Sequence, residues 1–165
     1  KLKMYDRTSK VGCSVGYFEA ALPVFKTLGR KINHMGAIGA GQITKSCNQI
    51  ATALATQGVM EALTFAKKGG VDVAKVREAM LGGFAQSRAL ELAGKRMIEK
   101  DFAPGFKIKL FRKDLRIALE TASSLQVALP GTHLLAGEME ALIKADGGEQ
   151  DFSALISLID HDGNK

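Results

Sequence analysis

The stretch GAGQITKSCNQIATALATQGVMEALTFAKKGG, Gly39 to Gly70, decides how this chain is read. It holds no proline, and its pattern predicts one helix from Gly39 to Lys68 that the pair Gly69 and Gly70 ends. At about 1.5 Å per residue such a helix spans about 45 Å. The spacing predicts a buried stripe of Ile43, Cys47, Ile50, Leu54, Gly58, Ala62 and Phe65, and an opposite face on which Gly41, Lys45, Asn48, Gln49 and Thr52 converge. Ala51, Ala53, Ala55 and Gly58 are small enough to let another helix approach closely.

Upstream, YFEAALPVFKTL (Tyr17–Leu28) has a helical pattern with a bend expected at Pro23, and KINHMG (Lys31–Gly36) is short enough for a strand. With KLKM at the start, the first 36 residues read as β-α-β, a piece that cannot stand as a sheet by itself. Downstream, Asp72 caps a helix through Leu81 and a further helix runs from about Ser87 to Glu99. DFAPGF breaks the pattern, which resumes from Ile108 to Leu125, with Leu115, Ala118, Leu119 and Ala122 on one face and Lys109, Lys113, Arg116 and Glu120 on the other. Pro130 opens another helix to about Ala145, and Asp151 caps a last one, FSALISLID. The expected class is all-α, a multi-helix body built on one long helix with a short β-α-β remnant at the N-terminus, and the domains are expected at 1–36 and 37–165.

The 165 residues suit one domain of ordinary size, and their 46% hydrophobic content suffices for a core. No stretch approaches the roughly 20 apolar residues of a membrane helix, and the N-terminus lacks a signal-peptide core, so a cytoplasmic protein without membrane partners is expected. Cys13 and Cys47 lie far apart and His34, His133 and His161 are scattered, which argues against a metal site. A net charge of +6 suits small carboxylates and phosphates as well as nucleic acid, but the cations form no single run, and nucleic acid is not expected as a partner.

Gly36, Gly39 and Gly41 follow G-x-x-G-x-G, which is neither the dinucleotide fingerprint nor the P-loop. They let the chain turn out of the strand and let another backbone or a ligand approach the helix start. Lys45 lies on the first turns of the helix, where the dipole favours anions over a cation. With Asn48 one turn on, it could serve as a general acid or base at a substrate oxygen; an ordinary solvated lysine is the competing reading.

GAGQITKSCNQ, EALTFAKKGGVD, SRALELAGKRM, DFAPGFKIKLFRKDLRIALE, LP and DFSAL together resemble the C-terminal half of the β-hydroxyacid dehydrogenases, the group of 3-hydroxyisobutyrate dehydrogenase and tartronate semialdehyde reductase. The resemblance runs from Tyr17 to about Ile159. It implies an NAD- or NADP-dependent interconversion of a small hydroxy acid and its semialdehyde or keto acid. The family's catalytic lysine falls on Lys45 and its substrate-orienting asparagine on Asn48, with Gly41 in the substrate-binding motif. Its cofactor-reaching lysine falls on Lys113, beside Asp114. Residues 1–36 then read as a remnant of the end of a Rossmann-type domain, and 37–165 as a substrate and dimerisation domain. The family's G-x-G-x-x-G turn and serine-glycine-glycine loop are absent from the sequence, so a fragment inactive by itself is expected, forming a homodimer or higher homo-oligomer. A 6-phosphogluconate-type or imine-reducing oxidoreductase and a non-catalytic helical dimerisation module are the rival readings.

Overall fold

A computed structural model describes residues 8–160. Its elements run β1 (Thr8–Gly12), α1 (Val15–Leu28), β2 (Lys31–Gly36), α2 (Ala40–Lys68), α3 (Val73–Leu81), α4 (Arg88–Glu99), α5 (Ile108–Ser124), α6 (Pro130–Lys144), and two 3₁₀ segments, Gly147–Glu149 and Phe152–Leu158. They fall into two compact units, one ending at Asn48 and the other beginning at Gln49, so the division lies within α2.

In the first unit β1 and β2 pair in parallel, Thr8 opposite Lys31 and Val11 opposite His34, with a shift before Gly12 meets Gly36. The strand expected at KLKM lies outside the described residues. Cys13 closes the strand end by donating its N–H to the Gly36 carbonyl at 2.9 Å. The chain then turns through Gly36 (φ 109°) and Gly39 (φ 93°), conformations that residues with a Cβ rarely adopt. The opening of α2 lies hard against β1: a Cβ on Gly41 would sit 2.5 Å from the Lys10 carbonyl oxygen, and one on Gly12 would sit 2.8 Å from the Gly41 nitrogen. The approach that these glycines permit is therefore backbone to backbone.

This geometry corrects the expected fold class. The described residues are not all-α, because a parallel β-α-β unit is built together with the first turns of the long helix. The contact is made by glycines, which leave no mark in a hydrophobic period, so the sequence pattern attached those turns to the helical body.

The second unit is held by local signals at each helix end and by a shared core. Helix α2 stops through Gly70 (φ 73°), with the Val71 N–H returning to the Ala66 carbonyl at 3.0 Å. Asp72 accepts from the Ala74 and Lys75 N–H groups, Ser87 accepts from the Leu90 N–H at 3.0 Å, and Pro130 opens α6. The core gathers Met60 and Leu63 from α2, Leu90 and Met97 from α4, Phe111 and Leu115 from α5, Leu135 and Met139 from α6, and Leu155 from the last segment. That segment is a 3₁₀ helix where an α-helix was expected; Asp151 still caps it.

The face that α2 buries is also corrected. Ala53, Thr56, Val59, Met60, Leu63 and Ala66 are buried, whereas Leu54 is 40% and Phe65 82% exposed. At about 100° per residue the observed face lies roughly opposite the expected stripe, on the side where the polar residues of the first turns were expected to converge. Both arcs of the helix are apolar, and periodicity reports spacing without saying which arc has neighbours.

Candidate functional site

In the first unit, β1 and the opening of α2 bound a cavity of about 430 Å³, walled by Lys10, Gly12, Gly39, Gly41, Gln42 and Lys45, among others. Its volume is in the range of about 300–1,000 Å³ usual for small-ligand sites. Lys45 is in the second turn of α2, one turn after Gln42, so the two side chains share a helix face. Lys10 comes from β1. Two ammonium groups and a carboxamide in the cavity's lining suit an anionic ligand, and an ammonium can pass a proton to or from a ligand oxygen.

Of the residues singled out from the sequence, Lys45 and Gly41 border this cavity. Asn48 lies on the same helix three residues after Lys45; it is exposed and is not among the residues that bound the cavity. Lys10 and Gln42 had not been picked out. Gln42 could have been found from its place one helical turn before Lys45, whereas nothing in the strand marks Lys10.

The second unit holds Lys113 and Asp114 on α5. Lys113 is exposed, with its Nζ 3.6 Å from Asp114 Oδ1, while Asp114 is buried and turned inward. Its Oδ2 accepts from Gln49 Nε2 at 2.9 Å, across 65 residues of sequence. A buried carboxylate stays buried only when it is paired and hydrogen-bonded, and here an amide and an ammonium answer it.

Among the described residues, no group of three or more His, Cys, Asp or Glu side chains is arranged to hold a metal ion. No described helix is long and apolar enough to cross a membrane.

Known proteins resemble this chain over most of its length. Residues 39–159 match a family model described as the NAD-binding part of NADP-dependent 3-hydroxyisobutyrate dehydrogenase. The chain is 46% identical over 151 residues to 2-hydroxy-3-oxopropionate reductase of Escherichia coli (strain K12), covering 91% of this chain and 51% of that protein. It is 32% identical over 157 residues to 3-hydroxyisobutyrate dehydrogenase of Pseudomonas aeruginosa, covering 90% and 53%. The structure superposes on Mycobacterium tuberculosis 3-hydroxyisobutyrate dehydrogenase, solved with L-serine, with a TM-score of 0.83 at 28% identity, covering 90% of this chain and 53% of that one. The chain thus spans about half the length of these relatives.

The match completes the correction of the fold class. The sequence reading made the helical body a C-terminal substrate and dimerisation domain that reaches the cofactor only through Lys113 and Asp114, with the cofactor fold itself represented by the remnant at 1–36. The NAD-binding description instead covers residues 39–159, the helical body together with the start of α2. The cofactor class is NAD or NADP, and the chain belongs to the 3-hydroxyisobutyrate dehydrogenase family.

Proposed function

We propose that this chain is part of an oxidoreductase that interconverts a small hydroxy acid and its semialdehyde or keto acid with NAD or NADP, in the cytoplasm. The observation that carries the proposal is Lys45 on the wall of a cavity of about 430 Å³ beside Lys10 and Gln42. The relatives add support, one being a 2-hydroxy-3-oxopropionate reductase and another having been solved with L-serine. Both names point to small polar acids.

The residues present fit such ligands in charge. Lys10 offers an ammonium to a carboxylate, and Lys45 donates a proton to the carbonyl oxygen in reduction and takes it back in oxidation. Asn48, one turn after Lys45 and outside the cavity lining, is given the substrate-orienting role in this reading, and Gly41 lets the start of α2 close onto β1 beside the substrate. When bound, the nicotinamide carries the hydride. Lys113 would help hold the cofactor, with Asp114 setting the position of that lysine. The β1-α1-β2 unit reads as part of a Rossmann-type NAD(P)-binding sheet.

A homodimer accompanies this reading. Leu54, Gly58 and Phe65 expose one apolar arc of α2 in the second unit, and a second copy is the partner proposed for it.

Replacing Lys45 by Ala in the protein that carries this chain tests the catalytic proposal. The expected result is a kcat lower by about 100-fold or more with an unchanged melting temperature. Lys45→Arg is expected not to rescue it, because a guanidinium stays protonated. An Ala variant with the parent kcat would overturn the role.

A further inference from the structure

Helices α4 and α5 are joined by residues 100–107, and Arg96 organises that connection through ion pairs with Asp101 and Asp151. Arg96, near the end of α4, donates from Nε to the Asp101 carbonyl at 3.0 Å and from Nη2 to the Ala103 carbonyl. Its Nη1 lies 3.0 Å from Asp151 Oδ2. Asp151 is 2% exposed, and its carboxylate is fully answered: Oδ2 also accepts the Phe106 N–H at 2.9 Å, while Oδ1 accepts the Ser153 N–H at 3.1 Å and the Ser153 hydroxyl at 2.7 Å. Backbone bonds complete the joint. The Asp151 N–H donates to the Phe102 carbonyl at 3.1 Å, and the Ile108 N–H donates to the Gln150 carbonyl at 3.0 Å. A Cβ on Gly105 would sit 2.8 Å from both Arg96 Nη1 and Asp151 Oδ2, so the pair closes over a residue with no side chain.

The joint grips α5 at its first residue. Phe111, one turn in, packs on both Phe106 and Phe152 with ring centroids 5.1 and 5.5 Å away, and those two rings also meet each other at 6.3 Å. Both the rotation and the axial position of α5 are thereby set at this end. Lys113 and Asp114 follow within the next turn, where Asp114 must meet Gln49 at 2.9 Å. On a helix of about 5 Å outer radius, a rotation of about 20° moves a side chain by about 2 Å. Displacements of that size are large against the tolerance of a positioned polar group.

We propose that Arg96 and Asp151 are positioning residues that set the register of Lys113 and Asp114 toward the cofactor. The proposal rests on the reading that Lys113 meets NAD(P), and the test separates the two. Asp151→Asn in the full chain keeps the side-chain volume and removes the ion pair. One readout is the Gln49 side-chain amide resonance by NMR, which reports the bond to Asp114 without any cofactor. The other is NADPH affinity, from nicotinamide fluorescence, measured with and without Lys113→Ala.

The expected result is a Gln49 resonance moved toward that of a free amide and an affinity about 10-fold weaker, with no further loss from Asp151→Asn once Lys113 is Ala. Gly105→Ala crowds the same pair without removing a charge and is expected to move both readouts in the same direction. It carries the test if Asp151→Asn does not fold. An unmoved Gln49 resonance in a folded variant overturns the proposal, as does an affinity loss that adds in full to that of Lys113→Ala, which would mark a merely structural role. If the Gln49 resonance moves while Lys113→Ala leaves affinity unchanged, the positioning stands and the cofactor contact of Lys113 falls.

Discussion

The unit that ends at Asn48 and the unit that begins at Gln49 use apolar residues in opposite ways. In the first, Gly29 and Ser46 are the buried residues among those described, and Tyr17, Val24 and Ile38 are exposed by 78%, 62% and 90%. In the second, Met60, Leu90, Phe111, Leu115, Leu135 and Met139 are all shielded from solvent. A parallel sheet of two strands is marginal in water, and parallel sheets are normally covered on both faces. The proposed proton-transfer residue, Lys45, belongs to the unit with little core of its own, whereas cohesion resides in the other. This difference separates substitutions that should change stability from those that should change chemistry.

The sharpest way to break the comparison is to truncate one large aromatic in each unit. Phe111→Ala removes a fully buried ring from a cluster of three and is expected to cost about 3–5 kcal/mol. Tyr17→Ala should stay within about 0.5 kcal/mol, as exposed substitutions do. Urea unfolding of both variants checks this. Equal losses would mean that the first unit has apolar cover of its own.

A smaller effect concerns the exposed arc of α2. If a second copy covers it, the wild-type chain sediments at twice the 17.6 kDa of one copy. Phe65→Asp should then weaken the dimer by about 30-fold, equivalent to about 2 kcal/mol at a central interface residue. Sedimentation equilibrium across micromolar concentrations decides, and a wild-type species of 17.6 kDa rejects the dimer.

The smallest expected effect is a pH dependence inside the helical unit. Burial raises the Glu138 pKa above the ordinary 4.5 and repulsion from Glu61 adds to this, against a hydrogen bond from Gln57. The fold therefore favours protonated Glu138: its contribution is present below pH 4.5 and is lost as pH rises through the raised value. Glu138→Gln should stabilise at pH 7 by less than about 1 kcal/mol, because solvent screens a partly exposed group, and the gain should vanish below pH 4.5. Glu149 behaves in the opposite sense. Hydrogen bonds from Lys107 and Lys109 lower its pKa to about 2, so its contribution is present above pH 4.5 and fades as pH falls toward 2. Melting curves between pH 3 and pH 7 for Glu138→Gln and Glu149→Gln resolve the two signs.

Much of the helical scaffold was legible in the residues themselves. Strand β2 begins and ends where KINHMG does, and α3 runs from its Asp72 cap to Leu81. The glycine-led lysine of α2 led to a residue that does border a cavity. Less legible was everything that needs a distant partner: Lys10 on the cavity wall, Gln49 on Asp114, and Arg96 on Asp151. DFAPGF read only as a break in the pattern, although it forms the connection that seats α5.

By itself, the sequence determined where the helices of this protein start and stop, because caps and glycine turns act over three or four residues of backbone. It also marked the family through residues held at short spacing. Only the tertiary structure decided which arc of α2 is buried, that the helix opening is built onto β1, and which charges meet across the chain. The reason is geometric: a period fixes the angle between side chains on one helix but carries no information about where the neighbouring elements lie.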